Sequence, residues 1–189
     1  MADAALILGI IGTSTGVIGL GWNGLTYYWG RPHIEVKLVY GAVMGGHGVI
    51  SDYREHPLPV VVRELKLSLE RGAGRITAGI NIVNVGRSTF HVAALHFQAV
   101  PGPLSGHNAW MGFEGPPTIP EDIPPGGQRT YFVDLAQLKG QHRIAEGMHG
   151  TSQQMVLEVW SGKKKFRTPP IPSELLDLAP EPFGPGRLG

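Results

Sequence analysis

Hydrophobic and polar residues follow two rhythms along this chain. From Ala4 to Gly30 no charged residue occurs, and a helix of that span would be about 40 Å long, enough for a bilayer core of about 30 Å with some tilt. The spacing predicts an uncleaved anchor helix over residues 1–31. After Arg31-Pro32 the pattern alternates. In HIEVKLVY, Ile34, Val36, Leu38 and Tyr40 share one face while Glu35 and Lys37 take the other, as in a half-buried strand.

The same alternation predicts a strand in ELKLSLE, through Leu65, Leu67 and Leu69, and another in RITAGINIVN, through Ile76, Ala78, Ile80 and Ile82. Asn84-Val85-Gly86-Arg87 then reads as a turn into Phe90 and Val92, completing a hairpin. QRTYFVDL supplies a further strand, and QQMVLEVWSGKKKFRT a hairpin turning at Ser161-Gly162. Between them, DLAQLKGQHRIAEG has apolar residues at helical spacing and predicts a short connecting helix broken or bent near Gly140. The resulting fold expectation is all-β: an antiparallel sandwich over residues 32–168 behind one helix. The proline-dense segment 169–189 predicts a flexible tail.

Composition sharpens this picture at three points. The 28 glycines and 16 prolines among 189 residues sit between short apolar runs, as the turns of a β protein would. A net charge of +1 gives no chain-wide preference for polyanions, so no nucleic-acid partner is expected. Absence of cysteine removes disulfides, thiolate metal sites and a cysteine nucleophile.

Within the first helix, Gly9, Gly12, Gly16 and Gly19 recur at spacings of three and four, within an arc of about 80° that Asn23 extends. Small residues on one helix face let a second backbone approach, so this face predicts association with a copy of the chain or with a partner helix. Trp22, Tyr27, Tyr28 and Trp29 lead up to Arg31 and mark a membrane-interface belt. Arg31 and Lys37 after the helix, with no Lys or Arg before it, place the following domain on the cytoplasmic side. Gly12-Thr13-Ser14-Thr15-Gly16 also satisfies G-x-S-x-G, but a nucleophile elbow needs a strand, a sharp turn and a helix, which an uncharged run of this length does not provide.

The strand pair around INIVNVGRSTFHV and the later IPPGGQRTYFVDL resemble a pattern of bacterial immunoglobulin-like β-sandwich modules, in which an N-x-G turn joins two strands and a P-G turn opens another. The layout of one membrane helix and then such a module looks like membrane-anchored bacterial proteins of uncharacterised function. That resemblance implies an immunoglobulin-like fold and no activity.

Candidate chemistry is sparse. His91 and His96 fall on opposite faces of a strand, His47 and His56 lie in loops, and no chelating pair occurs, so neither metal nor cofactor is expected. The carboxylates are scattered over loops and polar strand faces. Two features remain as candidate lipid or partner contacts. One is the tip Lys163, Lys164, Lys165, Phe166 and Arg167, suited to anionic lipid or, more simply, to discouraging edge-to-edge aggregation. The other is Trp110 and Phe113 on the long Gly/Pro-rich loop, whose simpler role is to fold back and plug an open end of the sandwich. The expected function is a non-enzymatic, single-pass membrane adaptor or accessory subunit contacting lipid and a protein partner. The alternatives are an enzyme with its site near residues 101–127 and an extracytoplasmic surface module.

Overall fold

The computed structural model describes the backbone of residues 2–44, 47–51, 56–102, 105–106 and 118–180, and the side chains of residues 12–43, 56–102 and 118–180. Helix α1 spans Ala2–Trp29 and is followed by strands β1 (Ile34–Met44) and β2 (His47–Ser51), helix α2 (Leu58–Glu70), and strands β3 (Arg75–Asn84), β4 (Phe90–Val92), β5 (Ala94–Val100), β6 (Ser105–Gly106), β7 (Glu121–Ile123) and β8 (Gln128–Asp134). Helix α3 (Leu135–His149), strands β9 (Gln154–Ser161) and β10 (Lys164–Arg167), and helix α4 (Ser173–Leu178) complete it.

Three antiparallel sheets result, in the orders β2-β1-β3-β8, β10-β9-β5-β6 and β4-β7. One core joins the two larger sheets: Tyr40, Ile76, Ala78, Ile80, Ile82, Tyr131 and Val133 from the first meet Leu95, Phe97, Met155, Leu157 and Val159 from the second. Helices complete that core with Val61 and Leu65 from α2, Leu135, Leu138 and Ala145 from α3, and Leu175 and Leu176 from α4.

The all-β, immunoglobulin-like sandwich is therefore corrected to a mixed α/β fold, about 37% helix and 37% strand. The unexpected helices α2 and α4, and an α3 longer than foreseen, account for the difference. The segment read as a strand at ELKLSLE is the second half of α2. Leu58, Val61, Val62, Leu65 and Leu69 recur at i, i+3, i+4, i+7 and i+11, a helical stripe that packs on the core, and a proline sits in the first turn, where its missing N–H costs nothing. Helix α3 runs unbroken through Gly140. Asp134 caps its start, the carboxylate accepting from Ala136 N at 2.8 Å, and Gly150 closes it in the left-handed conformation.

The turn after β3 forms, but not as a hairpin. Residues Phe90–Val92 leave the first sheet and pair with Glu121–Ile123. Asn84, fully buried, organises this departure. Its side-chain amide donates to Ser88 O at 2.8 Å and Ile123 O at 2.9 Å, and its side-chain oxygen accepts from Gly86 N at 3.1 Å. The hairpin at Ser161-Gly162 is present, with Gly162 at φ +58°.

The segment from Thr168 is packed as far as Ala179. Thr168 and Ile171 pair with Leu157 and Met155, so the chain continues along the edge of β9 before turning into α4. The buried Lys139 ammonium then donates to Ala179 O at 2.8 Å, tying α3 to the end of α4. Leucines 175 and 176 supply enough apolar burial to order a proline-rich stretch.

The membrane reading is corrected as well. Among the described residues no helix is long and apolar enough to cross a membrane. The side chains of α1 are described from Gly12 onward, and from there to Trp29 glycines, threonines, Ser14 and Asn23 dilute the apolar residues. A single-pass membrane location with a cytoplasmic domain is accordingly not supported.

Candidate interaction site at the end of the first helix

Helix α1 stops where Gly30 donates to Thr26 O at 2.8 Å and Pro32 forbids a further turn. The extended segment 31–33 is then held by the β3–β4 turn, as His33 O accepts from Val85 N at 2.9 Å and from Gly86 N at 3.1 Å. The approach is so close that a Cβ on Gly86 would lie 2.2 Å from His33 N and 2.8 Å from both Arg31 O and Pro32 Cα. Only glycine fits there, and the base of α1 is thereby fixed to the body.

Beyond this clamp the described side chains of α1 stand free. Every residue from Gly12 to His33 is exposed, including Val17 at 64%, Ile18 at 71%, Leu20 at 76% and Trp22 at 63%. The candidate association face carries no neighbour: an added Cβ at Gly12, Gly16 or Gly19 would meet nothing within 4 Å. Asn23 and Thr26 close this face, Thr26 Oγ1 lying 2.9 Å from Trp22 O and 3.0 Å from Asn23 O, to which it donates. Gly9 precedes the described side chains.

Tyr27, Tyr28, Trp29 and Arg31 gather at the base. The Arg31 guanidinium lies over the Tyr27 ring, 4.8 Å from its centroid. Tyr28, Trp29, Arg31, Pro32 and His33 face Val85, Gly86 and Arg87 across an open cleft of about 570 Å³. A second cleft of about 600 Å³ on the other side of Arg31 is lined by Tyr27, Gly30, Pro32 and Lys164. The fold thus brings part of the lysine tip and the helix exit together, although more than 130 residues separate them in sequence. Arg87, which the sequence suggested only as part of a turn, joins them because the turn clamps the segment before β1.

Lys165, Phe166 and Arg167 are committed elsewhere. Lys165 lies over the Trp160 ring at 4.2 Å, and Trp160 packs on His96 with ring centroids 4.3 Å apart. Phe166 turns inward against Phe90, edge to face at 5.5 Å, and so offers no exposed apolar grip. Arg167 binds the Glu158 carboxylate, which is buried at 1% exposure and also accepts from Trp160 Nε1 at 2.9 Å. Lys163 and Lys164 project from the turn without ion pairs among the described residues. Trp110 and Phe113 lie outside the described residues.

Other polar clusters are structural in character. His91 and Asp122 face each other across β4 and β7, 2.7 Å apart and both exposed. Glu121 takes Arg129 and the Tyr131 hydroxyl, the latter at 2.6 Å, linking β7 to β8. Burial pushes the Glu121 carboxyl up, but the hydrogen bonds from Tyr131 and Arg129 and the Arg129 charge outweigh it and hold the group below its ordinary value. Tyr131 is displaced upward by burial and by Glu121. Among the described residues no group of three His, Asp or Glu side chains is placed to hold a metal ion. Comparison of the chain with family models, curated proteins and solved structures returns no match.

Proposed function

We propose that the protein is a non-enzymatic interaction subunit whose α/β body presents α1 to another protein. The observation that carries this reading is that the described side chains of α1, from Gly12 on, include large apolar residues on several faces and yet are all exposed. A helix without a polar face is ordinarily buried, and exposed apolar patches of this extent mark contact surfaces. Gly12, Gly16 and Gly19 form the side that leaves a second helix room to approach backbone to backbone, and Asn23 extends it with a group able to hydrogen-bond across the contact.

The test is photocrosslinking in cells from a benzoylphenylalanine at Leu20. An adduct at twice the 20.3 kDa mass identifies a second copy, and any other discrete adduct identifies a partner. Gly12→Ile with Gly16→Ile is expected to abolish either one. Both positions have open space and gain helix propensity, so the variant folds. No discrete adduct in the unsubstituted chain, or an adduct unaffected by the double substitution, refutes the reading.

A further inference from the structure

The two clefts at the base of α1 share a chemistry that helix association does not use. Arg31, Arg87 and Lys164 line them with His33, and no carboxylate is among the described residues that line either one. Cations on the sheets are mostly engaged, Lys37 with Glu35 at 3.1 Å, Arg75 with Asp134 at 4.0 Å, Arg129 with Glu121 and Arg167 with Glu158. The Arg87 and Lys164 side chains, by contrast, have no ion pair or hydrogen bond among the described residues, while Arg31 rests on the Tyr27 ring. Three formal positive charges therefore line this short segment with no described carboxylate beside them.

The adjacent end of α1 opposes an anion with about half a negative charge. Three cations outweigh that by a wide margin. Two of the three are arginines, whose planar forks match the oxygens of a phosphate. The walls beside them are Tyr28 and Trp29, flat surfaces suited to the apolar or ring portion of a phosphorylated molecule. Val85, exposed at the rim, continues the apolar wall. Gly86 keeps the cleft in shape, since its missing side chain lets the Arg31–His33 segment lie against the turn that carries Arg87.

We propose that this base is a binding site for a phosphate-bearing ligand, the phosphate held between Arg31 and Arg87, with Lys164 adding charge from the second cleft and Tyr28 and Trp29 taking the attached group. The same phosphate chemistry occurs on free phosphorylated metabolites and on phospholipid headgroups. The site is independent of the glycine face, which lies along the helix rather than at its end.

The experiment titrates the full chain with inorganic pyrophosphate by calorimetry and, separately, floats it with phosphatidylcholine vesicles with or without phosphatidic acid. Saturable binding of pyrophosphate that weakens with added salt is the expected result if the ligand is free in solution. Flotation only with phosphatidic acid identifies a headgroup. In either arm Arg87→Gln with Lys164→Gln is expected to weaken binding about tenfold or more, while Lys66→Gln with Arg71→Gln on α2 leaves it unchanged. Both pairs are exposed and carry no described hydrogen bond through their side chains, so folding is preserved. Gly12→Ile with Gly16→Ile is expected to retain phosphate binding, which separates this site from the association face. Absence of binding in both arms, or binding indifferent to Arg87 and Lys164, overturns the proposal.

Discussion

Replacing Gly86 by alanine tests how the first helix is joined to the body. The new methyl would lie 2.2 Å from His33 N and 2.8 Å from Arg31 O and Pro32 Cα, all backbone atoms with no rotamer in which to retreat. Either the segment 31–33 moves off the turn or the turn opens. In the first case the two hydrogen bonds onto His33 O are lost, at about 1 kcal/mol each. In the second, overpacking adds about 1–3 kcal/mol. Either way a destabilisation of about 2 kcal/mol follows, which for a chain of this size lowers Tm by roughly 4–8 °C.

Gly147→Ala is the matched control. Gly147 lies inside α3 with nothing within 4 Å of an added Cβ, so alanine there is expected to be neutral or to stabilise by up to about 1 kcal/mol. Thermal unfolding followed by circular dichroism reads both variants, and the pyrophosphate titration reads the cleft. A Gly86→Ala protein that melts within a degree or so of the parent and keeps its pyrophosphate affinity would refute the clamp.

The remaining expectations concern the body. Arg167→Met strands the buried Glu158 carboxylate with Trp160 as its remaining partner among the described residues and should cost about 3 kcal/mol in urea denaturation, whereas Glu158→Leu leaves a half-exposed guanidinium free to hydrate and should cost clearly less; equal costs would contradict this account. Lys139→Ala leaves Ala179 O without its ammonium, so limited proteolysis should cut within residues 169–180 in the variant and spare the parent. Because the folded-state pKa of Glu121 is depressed, its contribution to stability is present above the unfolded carboxylate value of about 4.3 and is lost as pH falls through the folded value. Glu121→Gln should therefore flatten the fall of Tm on acidification below about pH 5, and an unchanged slope would exclude the Tyr131–Arg129 pairing as its source.

How much of this was legible beforehand depended on whether a segment's partner was local. Strands β1, β3, β8 and β9 follow from alternation because one of their faces carries the larger apolar residues, and the β9–β10 hairpin follows from its own turn. Helix α2 was misread because LKLSL alternates by accident in a helical run that begins earlier, at Leu58, with Pro57 and Pro59 marking its start. The fate of Asn84-Val85-Gly86 was not legible locally. A turn of that composition suits a hairpin, and it is the buried Asn84 amide, reaching Ile123 nearly forty residues away, that sends β4 into another sheet. Proline density concealed α4 for a similar reason, since the groups that order it, Lys139, Met155 and Leu157, belong to α3 and β9. At the base of α1, Arg31 and the lysines were visible as charges, but their convergence with Arg87 required the fold.

The strand order of the second large sheet has a consequence in time. β1 and β3 can pair once Asn84 has been made, but β5 has its long neighbour, β9, on one side only, and Phe97 faces a Leu157 that is synthesised sixty residues later. At about 5–20 residues per second, the apolar edge of β5 waits roughly 3–12 s on the growing chain, far longer than a hairpin needs to close. The nascent protein therefore passes through an interval with its first sheet begun and its second half-made. A ribosome pause between β5 and β9 would lengthen that interval and the exposure to aggregation that goes with it.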